Sequence, residues 1–159
     1  MSWRVQNALS IAAVAILLLL NALPTRAEEK SMAHARGPFQ VKVTPVPGVE
    51  GDPIGRMKID KTFTGDLQAT SRVEMLTGMG AVKGSGAYVA IEVVQGTLAG
   101  RKGAFLMQHS GTMNRGAQSL AVAVVPDSGS GELAGLAGRM GIQVAANGDH
   151  TYEFEYSLP

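Results

Sequence analysis

GAYVAIEVVQGTLAGRKGAFLMQHSGTMNRG, running from Gly86 to Gly116, decides the fold. Apolar and polar residues alternate on both sides of a glycine-flanked break, with the period of two that a pleated strand imposes on its faces. The stretch therefore reads as two long β-strands, Tyr88–Thr97 and Ala104–Met113, joined by a tight turn. It also carries much of the chemistry in the chain: Tyr88, Glu92, Arg101, Gln108 and His109.

The same grammar extends outward in both directions. Upstream, Phe39–Val46 alternates, with Pro45 and Pro47 marking an edge or an exit because proline cannot donate to a ladder. Arg56–Phe63 and Asp66–Thr77 form the next pair, broken at Thr64-Gly65. In the second of these Leu67, Ala69, Ser71, Val73 and Met75 share one face, and Gln68, Thr70, Arg72, Glu74 and Leu76 share the other. Downstream come Leu120–Val125, a strand from about Arg139 to Ala145, and Tyr152–Leu158. Asn147-Gly148 between the last two suits a type I′ hairpin turn, since both residues tolerate positive φ.

A weak repeat links the hairpins. GTLAGRKGAF (Gly96–Phe105) and GELAGLAGRM (Gly131–Met140) share Gly-x-Leu-Ala-Gly-x-x-Gly, a leucine reaching into the core between glycines that turn the chain. Repeated hairpins of similar length suit an all-β, eight-stranded antiparallel up-and-down meander. Closing that sheet into a barrel removes its exposed edges.

Composition narrows the function classes. The 159 residues suffice for one domain, and no cysteine is present, so disulfides and lipid attachment at cysteine are excluded. The start of the chain has a basic residue (Arg4), an apolar run from Ala8 to Leu20 and Thr25-Arg26-Ala27 before acidic residues. That is the layout of a signal-peptide helix, residues 1–27, cut after Ala27, with a secreted or periplasmic product. The apolar run falls short of the roughly 20 residues of a spanning helix, so no stable membrane anchor is expected after cleavage. A polar, flexible arm over 28–37 and one barrel domain over 38–159 complete the expected layout. Cleavage removes Arg4 and Arg26 and leaves 12 basic against 13 acidic residues. Such a near-neutral, aromatic-poor surface is a poor nucleic-acid binder.

Two possible turn registers place the candidate site. A two-residue loop at Gly100-Arg101 sets Glu92 opposite His109 and Gly96 opposite Phe105; a three-residue loop sets Glu92 opposite Gln108. Either brings a carboxylate and a polar partner together in mid-sheet among Val, Ala and Met. A carboxyl in apolar surroundings has its pKa raised by desolvation, which suits general acid or base work, and a histidine can shuttle the proton. Glu92 and His109, with Glu74 as a second carboxylate, are the candidate catalytic residues. Tyr88, Gln108, Met107 and Met75 are the candidate ligand contacts, the thioethers suiting an adaptable lipophilic pocket. The three histidines lie far apart and form no metal-binding spacing. No hydrolase or nucleotide motif is present, and no cofactor is expected.

The segments KTFTGDLQATSRVEML, YVAIEVVQGTLAGRKGAFLMQHSGTM, VVPDSGSGELAGLAGRM and YEFEYSLP together resemble the bacterial family called domain of unknown function 3224. The resemblance covers about Gly37 to Pro159. It implies a barrel similar to allene oxide cyclase and the plant dirigent proteins, which bind a hydrophobic or phenolic ligand and steer its cyclisation or coupling. The expectation is a barrel holding a small lipophilic ligand. The rivals are a cofactor-free cyclase or isomerase, and a structural or interaction domain filled by its own side chains. Self-association of the barrel is compatible with each.

Overall fold

A computed structural model describes residues 31–159. The signal-peptide reading lies outside the described residues. Nine strands follow in order: β1 (Ala33–Val46), β2 (Ile54–Phe63), β3 (Leu67–Met79), β4 (Gly86–Leu98), β5 (Arg101–Asn114), β6 (Ala117–Val124), β7 (Ser130–Gly131), β8 (Ala137–Val144) and β9 (His150–Ser157). No helix occurs among the described residues. Each long strand pairs antiparallel with its neighbours, and β9 pairs back onto β1, so eight strands close into an up-and-down barrel. The two-residue β7 lies against the start of β5.

Alternation decides which side chains face inward. Phe39 and Phe63 stack across the β1–β2 pair with ring centroids 5.1 Å apart, and Phe63 meets Tyr152 edge-on at 5.6 Å. Phe105, Phe154 and Tyr156 form a second aromatic row. With Leu67, Leu98, Leu133 and Leu136, all fully buried, they fill one end of the barrel. Leu98 and Leu133 are the leucines of the Gly-x-Leu-Ala-Gly repeat, and both do reach into the core. Burying side chains of this size stabilises by about 1.5–3 kcal/mol each. The Tyr152 hydroxyl ties this end shut, accepting from the Leu67 amide at 2.8 Å and donating to the Thr64 carbonyl at 3.0 Å.

Three expectations need correction. Ala33–Gly37, placed in a flexible arm, is part of β1 and pairs with β9. Its inward residues, Ala33, Ala35 and Gly37, are too small to show a hydrophobic pattern. The central turn lies at Ala99-Gly100, with φ of 47° and 85°, the two positive values of a type I′ turn. Glu92 therefore faces Met107 across the pair, Gly96 faces Gly103, and Phe105 faces Val94. The last hairpin is a three-residue loop, with Gly148 N–H bonded to the Ala145 carbonyl and Ala145 N–H to the Asp149 carbonyl. There only Gly148 takes positive φ, at 89°.

The two ends differ. β1, β3, β4 and β5 have 13 or 14 residues, whereas β6, β8 and β9 have 8 each. β1 runs on from Gln40 to Val46 beyond its last pair with β9, Phe39 with His150. Pro38 turns its carbonyl toward β2, where Thr64 N–H donates to it, so odd-numbered residues direct their backbone groups to the opposite edge. Pro45, with no N–H to offer, thus sits on the uncovered edge that its presence implied. β6 meets β8 in a single pair, Ala123 with Arg139. One end is packed shut, and the other is an uneven mouth.

Candidate functional site

Glu92 stands on the inner face of β4 midway along the barrel and is 0% exposed. Its direct neighbours across the sheet are Val73 on β3 and Met107 on β5, both apolar and buried. Partners reach it diagonally from the two adjacent strands or from β2, one strand further on. His109 Nε2 lies 2.7 Å from Oε2, Lys61 Nζ donates to the same oxygen at 2.7 Å, and the Ser71 hydroxyl donates to Oε1 through a short hydrogen bond. Lys61, Ser71 and His109 are each buried as well. The Lys61 ammonium also lies 5.6 Å from the Phe39 ring centre and 5.8 Å from that of Phe63, within cation–π reach of both rings of the stacked pair.

Electrostatics follow from this geometry. Burial alone would push the Glu92 carboxyl up. The His109 hydrogen bond, the Lys61 charge and the hydrogen bonds from Lys61 and Ser71 together outweigh it, and the carboxyl titrates below the usual range. Glu92 is therefore a held carboxylate, not the proton-bearing acid that an apolar setting suggested. No buried side-chain nitrogen or oxygen among the described residues lacks a partner.

The remaining candidates scatter. Glu74 points outward, its side chain 74% exposed, and lies 3.7 Å from Lys58 on the barrel wall. Its parity, opposite to Val73 and Met75, already excluded it from the interior. Gln108 is likewise outward and exposed. Met107 is fully buried in the core. Met75 and Tyr88 face inward on the mouth side and are half-buried, and burial pushes the Tyr88 phenol up. Lys61 and Ser71 were not anticipated. Both share parity with core residues, Lys61 with Phe63 and Ser71 with Val73, and that was the available signal.

Toward the mouth the inward side chains lose their cover. Val43 is 50% exposed, Leu120 42% and Val144 61%, although each shares its strand's core-facing parity. A cavity of about 280 Å³ opens here, its lining including Met79, Tyr88, Gly111, Met113 and Leu120. Two larger concavities, about 600 and 710 Å³, are lined mostly by outward-facing residues such as Leu76 and Ile91 or Gln40 and Thr62. They are grooves on the wall, and the 600 Å³ one has His109 of the buried polar cluster at its base.

A closed meander barrel, packed at one end, open at the other and carrying a buried charged cluster midway, is the class that fold and site define. The chain belongs to the family described as protein of unknown function (DUF3224), whose model matches residues 35–156. It is similar to a crystal structure from Shewanella oneidensis MR-1 of a protein with unknown function from that family. The two share 50% sequence identity over 81% of this chain and 98% of the other, with a TM-score of 0.74. No curated protein matches the chain.

Proposed function

We propose that the barrel binds a small lipophilic molecule in its open half. The observation that carries this reading is the exposure of Val43, Leu120 and Val144 on the inward face, where a closed barrel would be expected to bury them. Apolar surface left uncovered inside a concavity is what an apolar ligand covers. The packed end supplies rigidity, and the buried Lys61–Glu92–His109–Ser71 cluster lies between it and the mouth. A barrel filled wholly by its own side chains fits only the closed half.

The test is fluorescence of N-phenyl-1-naphthylamine, a neutral probe that brightens in apolar sites. Saturable brightening is expected with the wild type. Leu120→Asp and Val43→Asp should weaken it about tenfold, because each sets a charge against the bound body of the probe. Ile91→Asp, an equivalent change on the outer wall, should leave it unaltered. Equal sensitivity to Ile91→Asp, or no saturation at all, would remove the mouth as the site.

A second reading, a cofactor-free cyclase or isomerase, draws on one feature. Glu92 orients His109 as a carboxylate orients a histidine base, so proton transfer would fall to His109 and not to a carboxylate. This is a narrower role than paired carboxylates acting together, since Glu74 lies outside.

A further inference from the structure

Strand register lines the inward side chains of the mouth up in rows. Thr77, Tyr88, Gly111 and Leu120 pair in sequence across β3 to β6, and Met79, Gly86, Met113 and Gln118 form the next row toward solvent. The 280 Å³ cavity is lined by both rows and by no residue of the row beneath, where Ala90, His109 and Val122 are buried. Tyr88 therefore stands at the depth where the opening ends.

A glycine sets the position of its ring. A Cβ on Gly111 would fall 2.7 Å from Tyr88 Cζ, the carbon that bears the hydroxyl, so any side chain there would displace the ring. The phenol thus lies across the inner face of β5, its oxygen one bond from that point, on the wall of the cavity that Gly111 and Leu120 also line. The oxygen has no hydrogen-bond partner among the described residues, and burial alone pushes the phenol up, with no charge or hydrogen bond contributing. No buried side-chain oxygen there lacks a partner, so this one reaches accessible space. The other polar groups of the two rows stand elsewhere. Thr77 turns its hydroxyl over Gly55 on β2, and Gln118 is exposed in the outer row. No charged side chain lines the cavity, and Met79, Met113 and Leu120 supply its apolar surface.

We infer that the mouth selects an uncharged lipophile bearing a hydrogen-bond acceptor, a carbonyl or an equivalent oxygen, which accepts the Tyr88 O–H while its apolar body lies against Met79, Met113 and Leu120. This rests on the ligand-binding reading above and adds the chemical class. The lone pairs of a phenol are drawn into its ring, so the hydroxyl donates better than it accepts, and burial keeps it protonated. An ionised head would enter a cavity lined by no counter-charge, a cost that one hydrogen bond does not offset. A purely apolar ligand would cover the hydroxyl and leave it unpaired.

The experiment compares 1-acetonaphthone, 1-isopropenylnaphthalene and 1-naphthoate by displacement of N-phenyl-1-naphthylamine. The first two differ by a carbonyl oxygen for a methylene of similar shape, and the third carries a charge. Tyr88→Phe keeps the ring on Gly111 and removes only the hydroxyl. It should weaken binding of the ketone about tenfold and leave that of the hydrocarbon unchanged. The wild type should bind naphthoate about tenfold more weakly than the ketone, or weaker still. Independently of affinity, the infrared carbonyl stretch of the bound ketone should lie lower in the wild type than in Tyr88→Phe, because a donated hydrogen bond weakens the C=O bond. An equal response of ketone and hydrocarbon to Tyr88→Phe, or a stretch that the variant leaves in place, overturns the role of Tyr88 and leaves the mouth as a binding site. Naphthoate binding as tightly as the ketone overturns the selection of an uncharged ligand. Failure of all three compounds to displace the probe overturns the inference together with the reading beneath it.

Discussion

Glu92 keeps its charge inside the barrel because three donors converge on two oxygens, and Lys61 is the one whose loss or stranding matters most. Replacing Glu92 by Gln leaves the Lys61 ammonium buried without a counter-charge, a change that costs on the order of 3–5 kcal/mol. His109→Ala leaves Glu92 with two donors and should cost about 1–3 kcal/mol. A Glu92–His109 pair alone would rank these two changes the other way. Changing Lys61 to Met and Glu92 to Leu together should recover most of the loss, since removing both charges strands neither. The sign with pH follows from the depressed carboxyl. Its folded pKa lies below the unfolded one, so its contribution is whole above about pH 4.3 and is lost as pH falls through the folded value. Glu92→Gln should remove that part of the acid-side decline. Urea melts at neutral and acid pH read both effects, and a smaller loss for Glu92→Gln than for His109→Ala at neutral pH would contradict the part given to Lys61. The Glu92–His109 pairing was legible in the sequence because any two-residue turn keeps both on one face. Lys61 was not, because a lysine in a strand usually marks the solvent side and only its parity with Phe63 argues otherwise.

At the scale of strands, the hairpin of β4 and β5 is the best-secured part of the barrel, paired along its whole length from Leu98–Arg101 to Gly86–Met113 and flanked on both sides. Periodicity made it readable, but the turn register was not. Alanine at a φ of 47° is uncommon enough to favour glycine-first alternatives, and the pairing of thirteen residues on either side outweighs that local cost. The β6–β8 seam is the opposite case. One residue pair, Ala123 with Arg139, spans it, so β6 and β8 have little backbone bonding to each other. Hydrogen exchange should accordingly be slow across Tyr88–Thr97 and Ala104–Met113 and much faster for the β8 amides that face β6. Uniform protection around the barrel would mean that the seam is closed by contacts other than backbone pairing. No sequence pattern marks a seam, because alternation reports which face is buried and not which neighbour a strand has.

For the molecule as a whole, the unequal strands divide the barrel into a half that carries stability and a half that carries an opening. Phe63, Phe105, Tyr152, Phe154 and the leucines of the turns lie in the first, so the second can leave apolar side chains uncovered while the fold holds. A ligand that enters the mouth must then bind the folded chain alone, because the unfolded chain has no concavity. Such a ligand stabilises by RT ln(1 + [L]/Kd), about 2.7 kcal/mol at one hundred times Kd. For a barrel of this size each kcal/mol moves the midpoint of melting by about 4 °C, so saturation with N-phenyl-1-naphthylamine should raise Tm by about 10 °C. Leu120→Asp should by itself shift Tm little, its side chain being 42% exposed, but should remove most of the rise at the same probe concentration. The two responses separate site from scaffold. A probe that bound loosely to exposed wall residues, or to a partly unfolded barrel, would leave Tm unchanged or lower it. A Tm rise that persisted undiminished in Leu120→Asp would place the binding outside the mouth, and differential scanning of the two proteins with and without probe tells these cases apart.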